Sequence, residues 1–174
     1  TSINDKFINN NVTSYVAQYR SSGNDPEIIV ENITFINNRA SANGAGLVTN
    51  GAKIKGGKFI NNTAAGNGGA IYLLNHGSTS QVTEMSIEDV TFEDNTASNG
   101  ADIFIVKDSG SNVHGILNDM VVSCNNLTTN KLQNTVVVNV THPSGAIIGG
   151  GSITFYLNSS RMGVSDVVNG VAEL

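Results

Sequence analysis

The feature that most constrains this chain is an imperfect internal repeat. Three segments, Val30 to Asn38, Ile54 to Asn62 and Ile87 to Asn95, share an aliphatic residue five places before a Phe and an Asn three places after it. A shorter copy opens the chain at Asp5 to Asn10, and a fifth, Leu117 to Asn125, carries Val122 in the Phe position. A second element follows each clear copy: Asn43-Gly44-Ala45-Gly46-Leu47, Asn67-Gly68-Gly69-Ala70-Ile71 and Asn99-Gly100-Ala101-Asp102-Ile103. Each repeat therefore holds two short alternating strands separated by an Asn/Gly/Ala-rich turn. Length variation falls at the turn-like stretches 21–26, 76–83 and 108–114.

A repeat of about 24 residues made of short strands and tight turns, with no helical period, predicts a β-solenoid. The expected fold class is all-β: a short right-handed parallel β-helix of about five coils over residues 1–130. Equivalent residues then stack at the strand spacing of about 4.8 Å. The register puts Phe7, Phe35, Phe59, Phe92 and Val122 in one interior stack. It puts Asn10, Asn38, Asn62, Asn95 and Asn125 at one corner, with Asn43, Asn67 and Asn99 at a second. Asn tolerates left-handed backbone, and stacked amides bond from rung to rung, so these columns are expected to turn the chain.

Composition agrees. Asn is the commonest residue, at 25 of 174, and it is a poor helix-interior residue. Val and Ile are too plentiful for a charged disordered tail. The length suits one domain with an appendage. Six Lys and three Arg are scattered in a chain of net charge -5, which argues against a nucleic-acid partner. No apolar run approaches a membrane span. The chain starts at Thr1 without Met and is read as a mature or excerpted piece. A lone cysteine, Cys124, rules out an intramolecular disulfide.

The repeat stops after Asn126. Residues 131–174 change character: strand-like runs at 135–141, 152–157, 164–168 and 171–174 are separated by turn signals such as His142-Pro143-Ser144-Gly145 and Asn169-Gly170. About four strands are half of what an immunoglobulin-like sandwich needs, so the expectation is an Ig-like β-segment, incomplete as it stands.

The Phe-x-x-Asn element followed by Gly68-Gly69-Ala70-Ile71 resembles the repeat of the polymorphic outer-membrane proteins of chlamydiae. The Asn-rich version, Phe59-Ile60-Asn61-Asn62-Thr63-Ala64 followed by Asn67-Gly68-Gly69-Ala70-Ile71-Tyr72, is more similar to the adhesin-like surface proteins of methanogenic archaea, in which β-helix blocks precede Ig-like blocks. Thr154 to Asn158 with Val168 to Ala172 resembles the second half of such an Ig-like module. The resemblance implies an extracellular or cell-surface protein concerned with attachment, and it carries over no catalytic residue. The partners it implies are further copies or neighbouring modules, and surface glycans or proteins.

Six Asn-x-Ser/Thr triplets make Asn11, Asn32, Asn61, Asn126, Asn139 and Asn158 candidate glycosylation sites, in a composition where such triplets also arise by chance. Asp89 and Asp119 hold equivalent repeat positions and are expected one strand spacing apart, facing out. Stacked carboxylates repel unless screened, which makes the pair a candidate Ca²⁺ site against the plainer reading of a solvated acidic face. The three His lie in loop-like stretches without ligand spacing, and no cofactor is expected. Function is therefore read as non-catalytic, structural or adhesive. One alternative is a filament subunit joined by strand complementation of the C-terminal half sandwich. A second is a polysaccharide lyase-like enzyme, disfavoured because no Arg accompanies the acidic block.

Overall fold

A computed structural model describes residues 1–19, 28–74, 83–106, 115–124 and 136–174. Within them the protein is all-β, and parallel sheets stack as a β-solenoid of about three turns. The first pass comprises β1 (Ser2–Ile3), β2 (Lys6–Ile8), β3 (Asn11–Val12) and β4 (Ala17–Tyr19). The next comprises β5 (Ile29–Ile36), β6 (Arg39–Ala40) and β7 (Leu47–Thr49), followed by β8 (Ala52–Ile60), β9 (Thr63–Ala64) and β10 (Ile71–Leu73). Then come β11 (Thr83–Glu88), β12 (Thr91–Glu93) and β13 (Ile103–Ile105). One face runs β1-β5-β8-β11-β14, with β14 at Gly115–Leu117; β2 also pairs with β5 and β12 with β8. A second face runs β4-β7-β10-β13, and a short third face runs β3-β6-β9.

The repeat sets this register. Phe7 pairs with Phe35, Phe35 with Phe59 and Phe59 with Phe92. Their rings stack face to face, with centroids 4.6, 5.0 and 5.4 Å apart. Val30, Ile33, Phe35, Ile54 and Phe59 are buried against Leu47, Ile71, Leu73 and Ile103 of the second face, forming the main core. Gly46 lets the chain pass this stack closely: a Cβ there would sit 2.5 Å from the Ala70 carbonyl and 3.2 Å from the Phe59 ring.

Two columns of left-handed backbone run along the first face. Asn4, Asn32, Gly56 and Asp89 lie three residues before each Phe, with φ of 59°, 52°, 68° and 54°. Asn9, Asn37, Asn61 and Asp94 lie two residues after it, with φ of 57°, 55°, 52° and 52°. These are the residue types that enter that region at least cost. The sequence register assigned the left-handed turn to the following column instead. Because the αL residue reverses the alternation of side chains, Asn10, Asn38, Asn62 and Asn95 point into the solenoid rather than around its corner.

The fifth copy departs from the expected register. Val122 does not join the Phe stack: it lies in β15 (Val121–Cys124), paired antiparallel with Val140, and is 57% exposed. The physical cause is the end of the parallel ladder. β14 pairs with β11 as Met85↔Leu117, out of step with the copy by two residues, and the chain turns at Asn118 and Asp119 to meet β16 (Val137–Thr141). Asn125 and Asn126 lie outside the described residues.

After β16 come β17 (Ile148–Gly150), β18 (Ser152–Leu157), β19 (Ser160–Asp166) and β20 (Val171–Glu173). β17 returns to the solenoid and pairs in parallel with β13, as Ile103↔Ile148. The others form antiparallel sheets, β15-β16-β20 and the hairpin β18-β19, around a small core of Val138, Val140, Phe155, Val167 and Ala172.

Candidate functional site

The most organised chemistry in the protein is its internal asparagine ladder. Asn10 Nδ2 donates to Asn38 Oδ1 at 2.9 Å, Asn38 Nδ2 to Asn62 Oδ1 at 2.9 Å, and Asn62 Nδ2 to Asn95 Oδ1 at 2.9 Å. Each Oδ1 also accepts the backbone N–H of the preceding Asn, at 3.1, 3.2 and 2.9 Å. The second Nδ2–H of Asn38, Asn62 and Asn95 goes back to the carbonyl of Phe7, Phe35 and Phe59. Asn38, Asn62 and Asn95 are buried, so these bonds replace water outright. The ladder ends on Asp102, which accepts from Asn95 Nδ2 at 2.9 Å and, through Oδ2, from the Ile147 N–H at 2.7 Å. Burial pushes the Asp102 pKa up, while these two hydrogen bonds pull it down. This arrangement is structural: the buried amides of Asn38 and Asn62 bond to the rungs on either side of them, and that of Asn95 to the rung before it and to Asp102.

An outer ladder runs the other way. Asn61 Nδ2 donates to Asn37 Oδ1 at 2.8 Å, and Asn37 Nδ2 to Asn9 Oδ1 at 3.2 Å, all on the surface. Asn61 is therefore exposed and Asn62 is the interior member of the pair. Asn11, Asn32 and Asn158 are also exposed, and Asn139 is half-buried in β16. The second corner is linked by Asn67 N–H to Asn43 Oδ1 at 2.7 Å, and Asn99 Oδ1 accepts from the Asn169 N–H at 2.9 Å.

Asp89 and Asp119 do not stack one strand spacing apart, because the β11–β14 register, with Leu117 opposite Met85, leaves Asp119 two residues short of Asp89. Both are exposed turn residues with positive φ, 54° and 61°, where Asp serves the backbone. They do share an open groove of about 340 Å³ with Glu88, His142 and Ser144. The described residues contain no group of three or more His, Cys, Asp or Glu placed to hold a metal. His142 is buried, and its Nδ1 accepts the Ser144 N–H at 3.1 Å and lies 2.8 Å from Ser144 Oγ. Its Nε2 is buried without a hydrogen-bond partner. Burial holds its pKa below the ordinary imidazole value, against the pull of the Asp119 carboxylate and the Asn118 backbone. A neutral ring locked by its own turn is a structural histidine.

A second, shallower groove of about 160 Å³ lies on the β4-β7-β10-β13 face. Tyr15, Tyr72, Val48, Gln18 and Asn43 are among the residues that line it, with Val48 between Gln18 and Tyr72 in the strand register. Tyr15 Oη donates to Gln18 Oε1 at 2.9 Å. Tyr72 stacks on Phe104 of the next rung, with centroids 5.5 Å apart, and burial raises its pKa. The pairings Tyr72↔Val48 and Tyr72↔Phe104 place Tyr72 here through solenoid register. Aromatic faces beside amide groups offer apolar contact and hydrogen bonds together.

Comparisons with protein-family models, curated proteins and solved structures found no match to this chain.

Proposed function

We propose that this protein is a non-catalytic, extracellular structural module of the adhesin type that attaches to surface glycans or proteins. On this reading it is a short right-handed β-helix, of about five coils when the end strands β14 and β17 are counted, followed by an Ig-like segment. The observation that carries it is the Tyr15–Tyr72 groove on a solenoid face held in register by the buried ladder and the Phe stack. A rigid face that presents aromatic and amide side chains suits weak, repeated contact with sugar rings or an extended polypeptide. The neighbouring face supports it: Glu31, Lys55 and Glu88 align across three rungs, with Lys55 Nζ 3.3 Å from Glu88 Oε1. A glycan array probed with the multimerised protein tests the proposal. Binding that falls at least ~10-fold in Tyr72→Ala, with the fold intact, supports it. Binding unchanged in Tyr72→Ala and Tyr15→Ala moves attachment off this groove, and no binding to any glycan or surface extract rejects the adhesin reading.

A second reading, a filament or stalk subunit, rests on β15. This edge strand of the three-stranded sheet exposes Val121 and Val122 at 52% and 57%, an apolar edge open to strand addition from another copy. Concentration-dependent growth in sedimentation, abolished by Val122→Lys, distinguishes it.

A further inference from the structure

The two ends of the solenoid are built differently. At one end the inner ladder closes on Asp102, whose two carboxylate oxygens accept from Asn95 and from Ile147. β17 covers β13, and Asn99 and Gly100 bond to Asn169. Solenoid ends need such caps, because an uncapped rung exposes both its core and its strand edges.

Among the described residues the other end has no counterpart to Asp102. β1, β3 and β4 are each the last strand of their sheet, and β2 pairs only with β5. Among the described residues all four thus show an unpaired edge on the same side. Phe7 stacks on Phe35 with one ring face and is only half-buried, while Ile3 and Ile8 are 53% and 46% exposed. Lys6 is the one charged side chain within these four strands. This is not how a free edge is protected.

The asparagines at this end specify what fits. In every interior rung, Oδ1 of the inner Asn accepts an N–H and an Nδ2–H from the rung before it, and one Nδ2–H returns to that rung's Phe carbonyl. Among the described residues Asn10 bonds only toward Asn38, which leaves its Oδ1 and one Nδ2–H without the partners that the interior rungs supply. In the outer ladder the Nδ2 of Asn61 and of Asn37 each donates to the rung before, and Asn9 accepts from Asn37 while its own Nδ2 has no such rung to donate to among the described residues. The end therefore offers one acceptor, two donors, an aromatic face and parallel strand edges. The complement is a rung with Phe-x-Asn-Asn in register.

We infer that the β1–β4 end is a docking surface for one further solenoid turn of the same repeat type, recognised by its adjacent asparagine pair. A second copy's own β1–β4 end is not that partner, since two such ends meet head to head with their strands antiparallel and do not continue the parallel register of this face. This surface is distinct from the Tyr15–Tyr72 groove, and its test is independent of glycan binding.

The register makes the test direct. Thr1 stands where Lys53 stands two rungs on, because Ser2 aligns with Val30 and Val30 with Ile54. A duplicate of residues 29–52 placed immediately ahead of Thr1 supplies a turn in phase, with its Asn37 and Asn38 above Asn9 and Asn10. The expected result is a Tm at least ~5 °C higher and amide exchange in β1–β4 slowed at least ~10-fold. A duplicate carrying Asn37→Ala and Asn38→Ala loses most of both gains. Exchange in β16 reports independently that the rest of the chain is folded. Three results overturn the inference: a folded chain whose duplicate exchanges freely and leaves β1–β4 unchanged, an Ala/Ala duplicate that protects equally well, or an unmodified protein that dimerises through β1–β4.

Discussion

Replacing Asn62 by alanine isolates what the buried ladder contributes. Its side chain is fully buried and makes four hydrogen bonds: to the Phe35 carbonyl at 3.0 Å, to Asn95 Oδ1 at 2.9 Å, and from Asn38 N and Nδ2 at 3.2 and 2.9 Å. Asn62→Ala deletes all four and leaves two donors of Asn38 and the Phe35 carbonyl in a space no water reaches. At about 0.5–1.5 kcal/mol net per bond, the loss is about 2–6 kcal/mol, with the orphaned groups pushing it toward the upper half. That is a large part of the ~5–15 kcal/mol that holds a domain together. The neighbouring residue is the control. Asn61 is exposed, its amide donates only to Asn37 Oδ1, and its main service is a φ of 52°. Asn61→Ala is expected to cost about 1–2 kcal/mol through that left-handed backbone, and Asn61→Gly to recover most of it. Equilibrium urea unfolding followed by circular dichroism gives both values, with an unchanged denaturant slope confirming that the same surface is exposed. An Asn62→Ala variant within ~1 kcal/mol of Asn61→Ala refutes the reasoning, because the ladder then contributes no more than a surface amide.

Other expectations follow from the same geometry. Phe35→Ala, removing the ring between Phe7 and Phe59, is expected to cost about 3–5 kcal/mol by the same unfolding assay, and Phe92→Ala less, since Phe92 is half-buried. Gly57→Ala places a Cβ 2.1 Å from the Ile33 carbonyl at a φ of 108° and should cost about 3 kcal/mol. Gly145→Ala, at a φ of 77° with open space around it, should cost about 1 kcal/mol. Stability should depend on pH in two opposed ways. The folded pKa of His142 lies below its usual 6.5, so as pH falls below 6.5 the unfolded chain takes up a proton the native state refuses, and stability drops. The folded pKa of Asp102 lies above its usual 3.8, so the native state binds its proton first, and acidification through that raised pKa toward 3.8 restores stability. Tm measured across pH should lose the first effect in His142→Gln and the second in Asp102→Asn.

The repeat made the fold legible because a solenoid converts sequence period directly into contact. Once Phe7, Phe35, Phe59 and Phe92 are aligned in the sequence, their stacking follows from the strand spacing. The aligned asparagines are equally visible, but their direction is not. Whether Asn37 or Asn38 faces inward depends on which of them adopts the left-handed conformation, and a single such residue reverses everything after it. The signal was present in the alternation of Asn, Gly and Asp three places before each Phe, a column that tolerates only those types. Asp89 and Asp119 shared that column, so their likeness reflected a backbone requirement rather than a paired charge.

What the amino-acid sequence determined alone is the local, periodic part of this protein: the absence of helical patterning, the succession of short strands and turns, and the identity of the stacked Phe and Asn columns through the fourth copy. These depend on contacts between equivalent positions, so self-similarity is enough to find them. What only the tertiary structure decided are the contacts that cross the period. Asp102 closing the ladder against Ile147, β17 returning to β13, and Val122 leaving the stack for β16 all join residues that no repeat relates. Their partners were chosen by packing and by the need to satisfy a buried edge, and that choice is made by the folded chain as a whole.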